Sequence, residues 1–243
     1  MMRFGPKLSR IVEAIVGGIL VLWGLGGIVP AHADGTDDTA VPRVFGETYG
    51  AWSGRWWQWV HSFPAASNPL VEAGTIDCSR GQREPVWFLA GTLGGEAVRT
   101  CTIQRGKALL FPLVNAEWIN SPGDCGRDAG CTEAEKRQLL YDDVNLACNL
   151  ASTLDGVPTV FSLITARTQS PTYRVEIGQD DIFGFPAGTV DEATVADGSW
   201  VLLPPLPAGN HVLHFRGALC DATTHEPFFT TEVTYNLTVH GDS

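Results

Sequence analysis

The residues whose types and spacing best suit ligand chemistry are Asn115 and Glu117, which follow an apolar segment. Leu109, Phe111 and Leu113 alternate along that segment, and continuing the same parity puts Asn115 and Glu117 on the core-facing side. A carboxylate on such a line is costly unless it is paired or lies at the mouth of a cavity. Glu117 is therefore a candidate hydrogen-bond acceptor for a ligand, or a general acid if the protein is an enzyme.

Three more residues join this candidate binding site. Trp118 follows Glu117 on the opposite face of the strand, Trp57 lies off an aromatic helical stripe described below, and Arg99 is a cation on the preceding segment. Trp57 is predicted to be at least partly exposed, because it has no evident core to enter. Two alternatives stay open. The strand ends at residue 114, leaving Asn115 and Glu117 in a solvated loop, or Glu117 simply pairs with a cation such as Arg99.

Other catalytic motifs are scarce. The sequence contains no Gly-x-Ser-x-Gly, no phosphate-binding glycine loop with Lys-Ser/Thr and no His-Glu-x-x-His. His211 and His214 are three apart on a predicted strand, so their side chains point to opposite faces and cannot share a metal ion. No metal site is predicted, but calcium stays open as a cofactor, because carboxylates and loop carbonyls are its usual ligands in an exported protein. The candidate acids are Asp142 with Asp143 and Asp180 with Asp181.

A β-meander is predicted over residues 85–120. Residues 86–92 and 108–114 are continuous apolar runs, residues 97–103 alternate, and Gly94-Gly95 and Arg105-Gly106 separate the three segments. The continuous runs predict strands that are covered on both faces, so this sheet lies inside the molecule.

A tryptophan-rich helix is predicted near residues 45–62. Its aromatic residues recur at intervals of four and three, which places them on one helical stripe. Glycines recur every four residues on a second line, where another backbone can approach closely. The stripe is interpreted as core that covers one side of the sheet; the alternative is a stacking platform for sugar rings. The stripe comprises Phe45, Tyr49, Trp52, Trp56, Trp59 and Phe63, and the second line comprises Gly46, Gly50 and Gly54.

A second helix is predicted near residues 133–151, where Thr132 and Glu135 form a capping box. Leu140, Val144 and Cys148 then define a buried helical face. Six cysteines in an exported chain are best interpreted as three disulfides. The expected pairs are Cys78 with Cys101, Cys125 with Cys131, and Cys148 with Cys220.

The rest of the chain reads as strands at residues 157–164, 172–177, 200–203, 210–217 and 228–240. Eight strands in all predict a mostly β fold. We expect a two-sheet antiparallel β-sandwich, jelly-roll-like, with an N-terminal tryptophan-rich helix and one inserted helix. Residues 45–243 form a single domain, because no low-complexity linker interrupts them.

The N-terminus has the features of a secretory signal peptide over residues 1–33, with cleavage near Ala33. An uncleaved anchor is the alternative. Residues 34–44 are predicted to be a flexible arm. The 243-residue chain has a formal net charge of −11, and removing three basic residues and one acidic residue with the leader makes it −13. Such a surface disfavours nucleic acid and favours a neutral or cationic partner outside the cell or in the periplasm. No membrane span is expected in the mature chain.

The chain resembles a family of uncharacterised secreted bacterial proteins. The similarity rests on Trp56-Trp57-Gln58-Trp59, Asn68-Pro69, Cys78 with Gly81-Gln82, VWFLAG at 86–91, Arg99-x-Cys101, PLPAGNHVLHFRG at 205–217 and VTYNLTV at 233–239. It covers nearly all of the mature chain. The resemblance implies secretion and a single domain, and it carries over no catalytic role.

Two classes of function follow from these features. The first is a secreted binding module for a carbohydrate or another envelope or extracellular ligand. The second is a polysaccharide hydrolase or lyase, which needs two carboxyl groups converging on a cleft about 5 to 10 Å apart. A purely structural envelope protein is a third alternative and predicts no cleft.

Overall fold

The computed structural model describes residues 43–159, 165–178 and 180–240. The predicted signal peptide, residues 34–42 of the predicted arm and residues 160–164 of a predicted strand lie outside the described residues. Arg43 and Val44, the last residues of that arm, pair with Thr48 and Glu47 in a short hairpin. Neither α-helix in the described ranges has the length and apolar character needed to cross a membrane.

The fold is mostly β, as predicted. The helices are α1 (Tyr49–His61) and α2 (Glu133–Val144). The strands are β1 (Arg43–Val44), β2 (Glu47–Thr48), β3 (Gly74–Thr75), β4 (Val86–Phe88), β5 (Gly95–Ile103), β6 (Ala108–Trp118), β7 (Ala147–Leu154), β8 (Val157–Pro158), β9 (Thr165–Gln169), β10 (Tyr173–Glu176), β11 (Val190–Leu203), β12 (Gly209–Cys220) and β13 (Pro227–Val239).

Both large sheets are mixed, so the prediction of antiparallel sheets is wrong. The five-stranded sheet has the order β10-β11-β6-β4, with β9 also paired to β11, and β4 runs parallel to β6. The six-stranded sheet has the order β3-β5-β13-β12-β7-β8, and β5 runs parallel to both β13 and β3. The parallel pairs arise because the chain crosses between the sheets.

The predicted meander is divided between the two sheets. Strands β4 and β6 are neighbours in one sheet, whereas β5 lies in the other. The glycine-containing turns on either side of β5 therefore carry the chain across and back, instead of joining hydrogen-bonded neighbours. The prediction that β4 and β6 are covered on both faces is confirmed, since nearly all of their residues are buried.

The five-stranded sheet is the middle layer. One of its faces packs against the six-stranded sheet, and this core includes Phe111 of β6, Phe215 of β12 and Tyr235 of β13. On its other face, Phe88 of β4 and Leu110 of β6 pack with the tryptophans of α1. The helix thus lies where the aromatic stripe places it, over the sheet.

Helix α1 is shorter than the predicted 45–62 range, because Phe45 adopts a left-handed conformation and Thr48 provides the N-cap. Trp52, Trp56 and Trp59 are buried, which confirms the centre of the stripe, whereas Tyr49 and Phe63 are half-buried and Phe45 lies outside the helix and is exposed. The predicted close approach of another backbone is present at Gly50 but not at Gly46, which precedes the helix and has open space around it. A Cβ at Gly50 would meet the carbonyl oxygen of Gln169 in β9.

Helix α2 begins at the predicted capping box but ends at Val144, so the predicted range of 133–151 is wrong. Cys148 lies in β7, opposite Ala218 of β12, and Cys220 is two residues further along β12. All three predicted disulfides are present: Cys78–Cys101, Cys125–Cys131 and Cys148–Cys220. The third pairing was correct, although Cys148 is held by strand pairing and not by a helical face.

Candidate functional site

A buried polar cluster joins α1 to strands β6 and β10 and to the loop after β10. His61, in the last turn of α1, has its imidazole between two carboxylates. Its Nε2 makes a very short contact with Glu117 Oε1, and its Nδ1 lies 3.2 Å from Asp181 Oδ1. The Tyr173 hydroxyl donates to Glu117 Oε2 at 2.8 Å. We call these four residues the His61 cluster.

A β-bulge brings Glu117 to this face of the sheet. Val114 is opposite Ser199 while Pro112 is opposite Trp200, so β6 contains one extra residue at Leu113. An extra residue reverses the alternation of the side chains that follow it. Glu117 therefore faces α1, on the opposite side from Leu109 and Phe111. The predicted parity is wrong for this reason. The alternative in which Glu117 pairs with a cation describes its position, although the cation is His61 and not Arg99.

A glycine in α1 allows Tyr173 to approach. A Cβ at Gly54 would come within 2.9 Å of the Tyr173 ring, so the absence of a side chain lets β10 pack directly on the helix. The ring then extends under the helix to Glu117. Helix α1 therefore carries His61 and, at Gly54, leaves the space that lets Tyr173 reach Glu117.

The electrostatics of the cluster favour a protonated imidazole. Burial alone would lower the pKa of His61, but attraction and hydrogen bonding to Glu117 and Asp181 raise it to about 9. Burial alone would raise the pKa of Asp181, but hydrogen bonds from His61 and from the backbone N–H groups of Phe185 and Phe183 lower it. Burial and the neighbouring Glu117 raise the pKa of Tyr173 well above its ordinary value.

Aromatic rings enclose the imidazole. Trp57 stacks on His61 with ring centroids 6.1 Å apart, and Phe183 packs against both rings at 5.5 Å from His61 and 5.9 Å from Trp57. Phe183 belongs to the loop that also carries Asp181. The loop is therefore held to α1 by an ion pair and by an apolar contact at the same place.

The hydrogen-bonding capacity of the cluster is largely used within the protein. Glu117 uses one oxygen for His61 and the other for Tyr173, while Asp181 Oδ2 accepts from Phe183 N at 2.8 Å and Phe185 N at 3.2 Å. Both ring nitrogens of His61 are engaged. This arrangement suits a buried ion network better than general acid catalysis, which needs a carboxyl group within reach of a substrate.

The five candidate site residues do not form one site. Trp57 and Asn115 line one small cavity beside the cluster, and Glu117 belongs to the cluster itself. Trp118 packs on the other side of β6 against Leu140 and Val195. The predicted exposure of Trp57 is wrong, because its side chain is 3% exposed. The loop that carries Phe183 covers it, and nothing in the spacing of α1 reveals that loop.

Arg99 lies in a different part of the core and does not pair with Glu117. It is 0% exposed, and its guanidinium donates to the backbone carbonyls of Glu72, Ala90 and Gly91 and to the Tyr235 hydroxyl. The cation that pairs with Glu117 is His61 instead. Arg99 therefore ties the segment after β4 to β5 and β13.

Sequence reasoning missed His61 and Tyr173 and considered Asp181 only as a calcium ligand. One signal was present, since His61 follows Trp57 by one helical turn. The contact of Tyr173 with Glu117 joins residues 56 apart, and that of Asp181 with His61 joins residues 120 apart, so both depend on the path of the chain through β10 and the loop after it. No local pattern specifies them.

The other metal candidates are also accounted for. His211 contacts Asp155 and His214 contacts Glu232, on alternate faces of β12. Within the described ranges, no group of three or more His, Cys, Asp or Glu side chains is arranged to hold a metal ion.

Three shallow grooves surround the outer face of α1, and all three are lined by Gln58. The largest, about 590 Å³, lies between α1 and the segment before β4; the other two, about 230 Å³ and 240 Å³, lie toward β10. The largest groove is lined by Arg55, Gln58, Trp59, Ser62, Gly81, Arg83, Glu84 and Phe88. We call this the α1 groove.

These features define a mostly β protein that is linked by three disulfides and has a buried His61 cluster beside an open polar groove. No protein-family model, curated protein or solved structure matches the chain.

Proposed function

We propose that this protein is an exported ligand-binding module and that the α1 groove is its binding surface. The single observation that carries the proposal is the groove itself, which is about 590 Å³ in volume and lies within the size range of small-molecule sites. The three disulfides indicate an oxidising compartment. Removal of residues 1–33 as a signal peptide is part of this proposal.

The lining of the α1 groove favours a ligand rich in hydroxyl groups, such as a carbohydrate of the cell envelope. Gln58 and Ser62 offer an amide and a hydroxyl, and Arg83 is exposed with no ion-pair partner among the described residues. Arg55 is neutralised by Glu47 and Glu84 at 2.5 and 3.0 Å. Trp59 and Phe88 are almost fully buried, so they supply apolar edges and not an exposed stacking platform.

A binding role is better supported than a hydrolytic one. A glycosidase needs two carboxyl groups that converge on a cleft with space for substrate. Glu117 and Asp181 converge on one imidazole instead, and both side chains are 4% exposed. The groove, in turn, favours binding over a purely structural role in the envelope.

We also propose that the fold is a β-sandwich and that the chain is related to the uncharacterised secreted bacterial proteins that it resembles. The two large sheets share one core, which is the basis for calling them a β-sandwich. Their mixed pairing departs from an antiparallel jelly roll.

A glycan array probed with protein that begins near Asp34 tests the function, with a hydrolase screen run in parallel. Binding should weaken at least tenfold in Gln58→Ala, because Gln58 lines all three grooves. Gln138→Ala provides the matched control, since Gln138 is an exposed glutamine on α2 whose side chain bonds Asp142 and lines none of the three grooves. Equal affinity in both variants, or no glycan bound at all, would contradict the proposal. Turnover in the hydrolase screen would favour the enzyme alternative.

A further inference from the structure

Two residues that line the same small cavity each have a buried hydrogen-bond donor with no acceptor within the described ranges. The donors are Trp57 Nε1 and Asn115 Nδ2. The cavity measures about 10 Å³, close to the space that one solvent-sized particle needs. A buried donor left without a partner costs about 1–3 kcal/mol, so two of them at one cavity require an explanation.

The walls of the cavity offer donors but no negative charge. Among its described lining residues none is acidic; they are Trp56, Trp57, Leu70, Gly91, Thr92, Pro112, Leu113, Val114, Asn115, Phe229 and Thr231. Thr231 Oγ1 accepts from the N–H of Thr92 at 3.0 Å, and the hydroxyl of Thr92 lies 3.1 Å from both Thr231 Oγ1 and the carbonyl oxygen of Gly95. The two threonine hydroxyls therefore bond within the protein, and the lining donors without an acceptor among the described residues are those of Trp57 and Asn115.

A buried cation lies behind one wall. The guanidinium of Arg99 donates to the carbonyl of Gly91, which lines the cavity, at 2.9 Å. No carboxylate among the described residues pairs with Arg99, and the side chain of Glu72 is engaged by Arg80 at 2.5 Å. Buried charges are normally compensated, because an isolated charge in a protein interior is very costly.

We propose that the cavity is a binding site for a single monoatomic anion, with chloride as the physiological occupant. The size excludes polyatomic anions, the two N–H groups supply the contacts, and Arg99 supplies the compensating charge. The carboxylate of Glu117, two residues along β6 from Asn115, is occupied by His61 and Tyr173. This site is separate from the α1 groove, so the inference does not depend on the proposed function.

Crystals of the wild-type protein soaked in sodium bromide test the site directly. An anomalous peak between Trp57 Nε1 and Asn115 Nδ2 is the expected result. A cavity that contains only water after soaking in bromide overturns the proposal. This measurement needs no variant and so does not depend on how a substitution affects folding.

A second test uses thermal unfolding in sodium chloride against sodium gluconate at equal ionic strength, because gluconate is too large for the cavity. The melting temperature should rise by a constant increment for each tenfold increase in chloride above its dissociation constant. Trp57→Phe keeps the ring but removes the N–H, and it should lose most of that increment. Trp87→Phe is the control, because Trp87 Nε1 also lacks a partner among the described residues but lies in the other core. The same chloride dependence in both variants would refute the assignment.

Discussion

The His61 cluster predicts a specific loss of stability at alkaline pH. The pKa of His61 is raised from 6.5 to about 9 in the folded chain. Folding therefore favours the protonated imidazole, and its contribution is fully present below pH 6.5 and is lost as the pH rises toward 9. The pKa difference corresponds to on the order of 3 kcal/mol of unfolding free energy, a large share of the stability of an ordinary domain.

The structural cause is the number of protons on the ring. A neutral imidazole has one N–H, so above pH 9 it cannot donate to Glu117 and Asp181 together. One buried carboxylate then loses its hydrogen bond from His61. The loop that carries Asp181 and Phe183 should loosen first, because the ion pair holds it to α1.

Urea denaturation followed by circular dichroism at pH 6, 7.5 and 9.5 measures the effect. His61→Gln should be destabilised at pH 6 and should lack the decline between pH 6.5 and 9. His214→Gln is the matched control, since His214 pairs with Glu232 on a partly exposed strand face. A wild-type unfolding free energy that is flat across this window, or a decline that persists in His61→Gln, would refute the assignment of a protonated His61.

Three further predictions concern the same framework. Glu117→Gln should lower the unfolding free energy at pH 7 by about 2–4 kcal/mol, because it removes one partner of a buried ion pair. An unchanged melting temperature would contradict the ion pair. Gly50→Ala should lower the free energy of unfolding by about 2 kcal/mol or more, because its Cβ would collide with the Gln169 carbonyl. Gly178→Ala is the control; it has open space around it and should lower that free energy by under about 1 kcal/mol in the same denaturation assay. Denatured, unreduced protein should react with less than one equivalent of thiol reagent, since all six cysteines are paired; more than one would contradict the three disulfides.

Much of the local structure could be predicted from side-chain patterns. The aromatic residues at helical spacing placed α1 over a sheet, because burying a stripe of rings requires an apolar surface opposite it. The capping box located the start of α2, and all three disulfide pairings were correct. Asn115 and Glu117 were chosen because polar side chains extend a buried strand, and both lie in or beside the buried polar region.

The errors share one physical origin, which is contact between segments distant in sequence. The turns on either side of β5 contain ordinary turn residues, which occur both in turns that join neighbouring strands and in turns that cross between sheets. The parallel pairing of β4 with β6 therefore cannot be predicted from the local sequence. The bulge at Leu113 arises from the register of β6 against β11, and it reverses the face of every residue after it. Helical periodicity extended past Val144, although pairing with β12 makes the next segment a strand.

By itself the sequence determined which residues are apolar, where glycine permits close approach and which cysteines are available to pair. The tertiary structure alone decided that His61, Glu117, Tyr173 and Asp181 meet. It also decided that Phe183 covers Trp57, and that Arg99 is buried behind a cavity and not beside Glu117. Periodicity records which side of an element is buried, but the partner that buries it depends on the path of the whole chain. The pKa of His61 and the unpartnered donors at the cavity follow from that path.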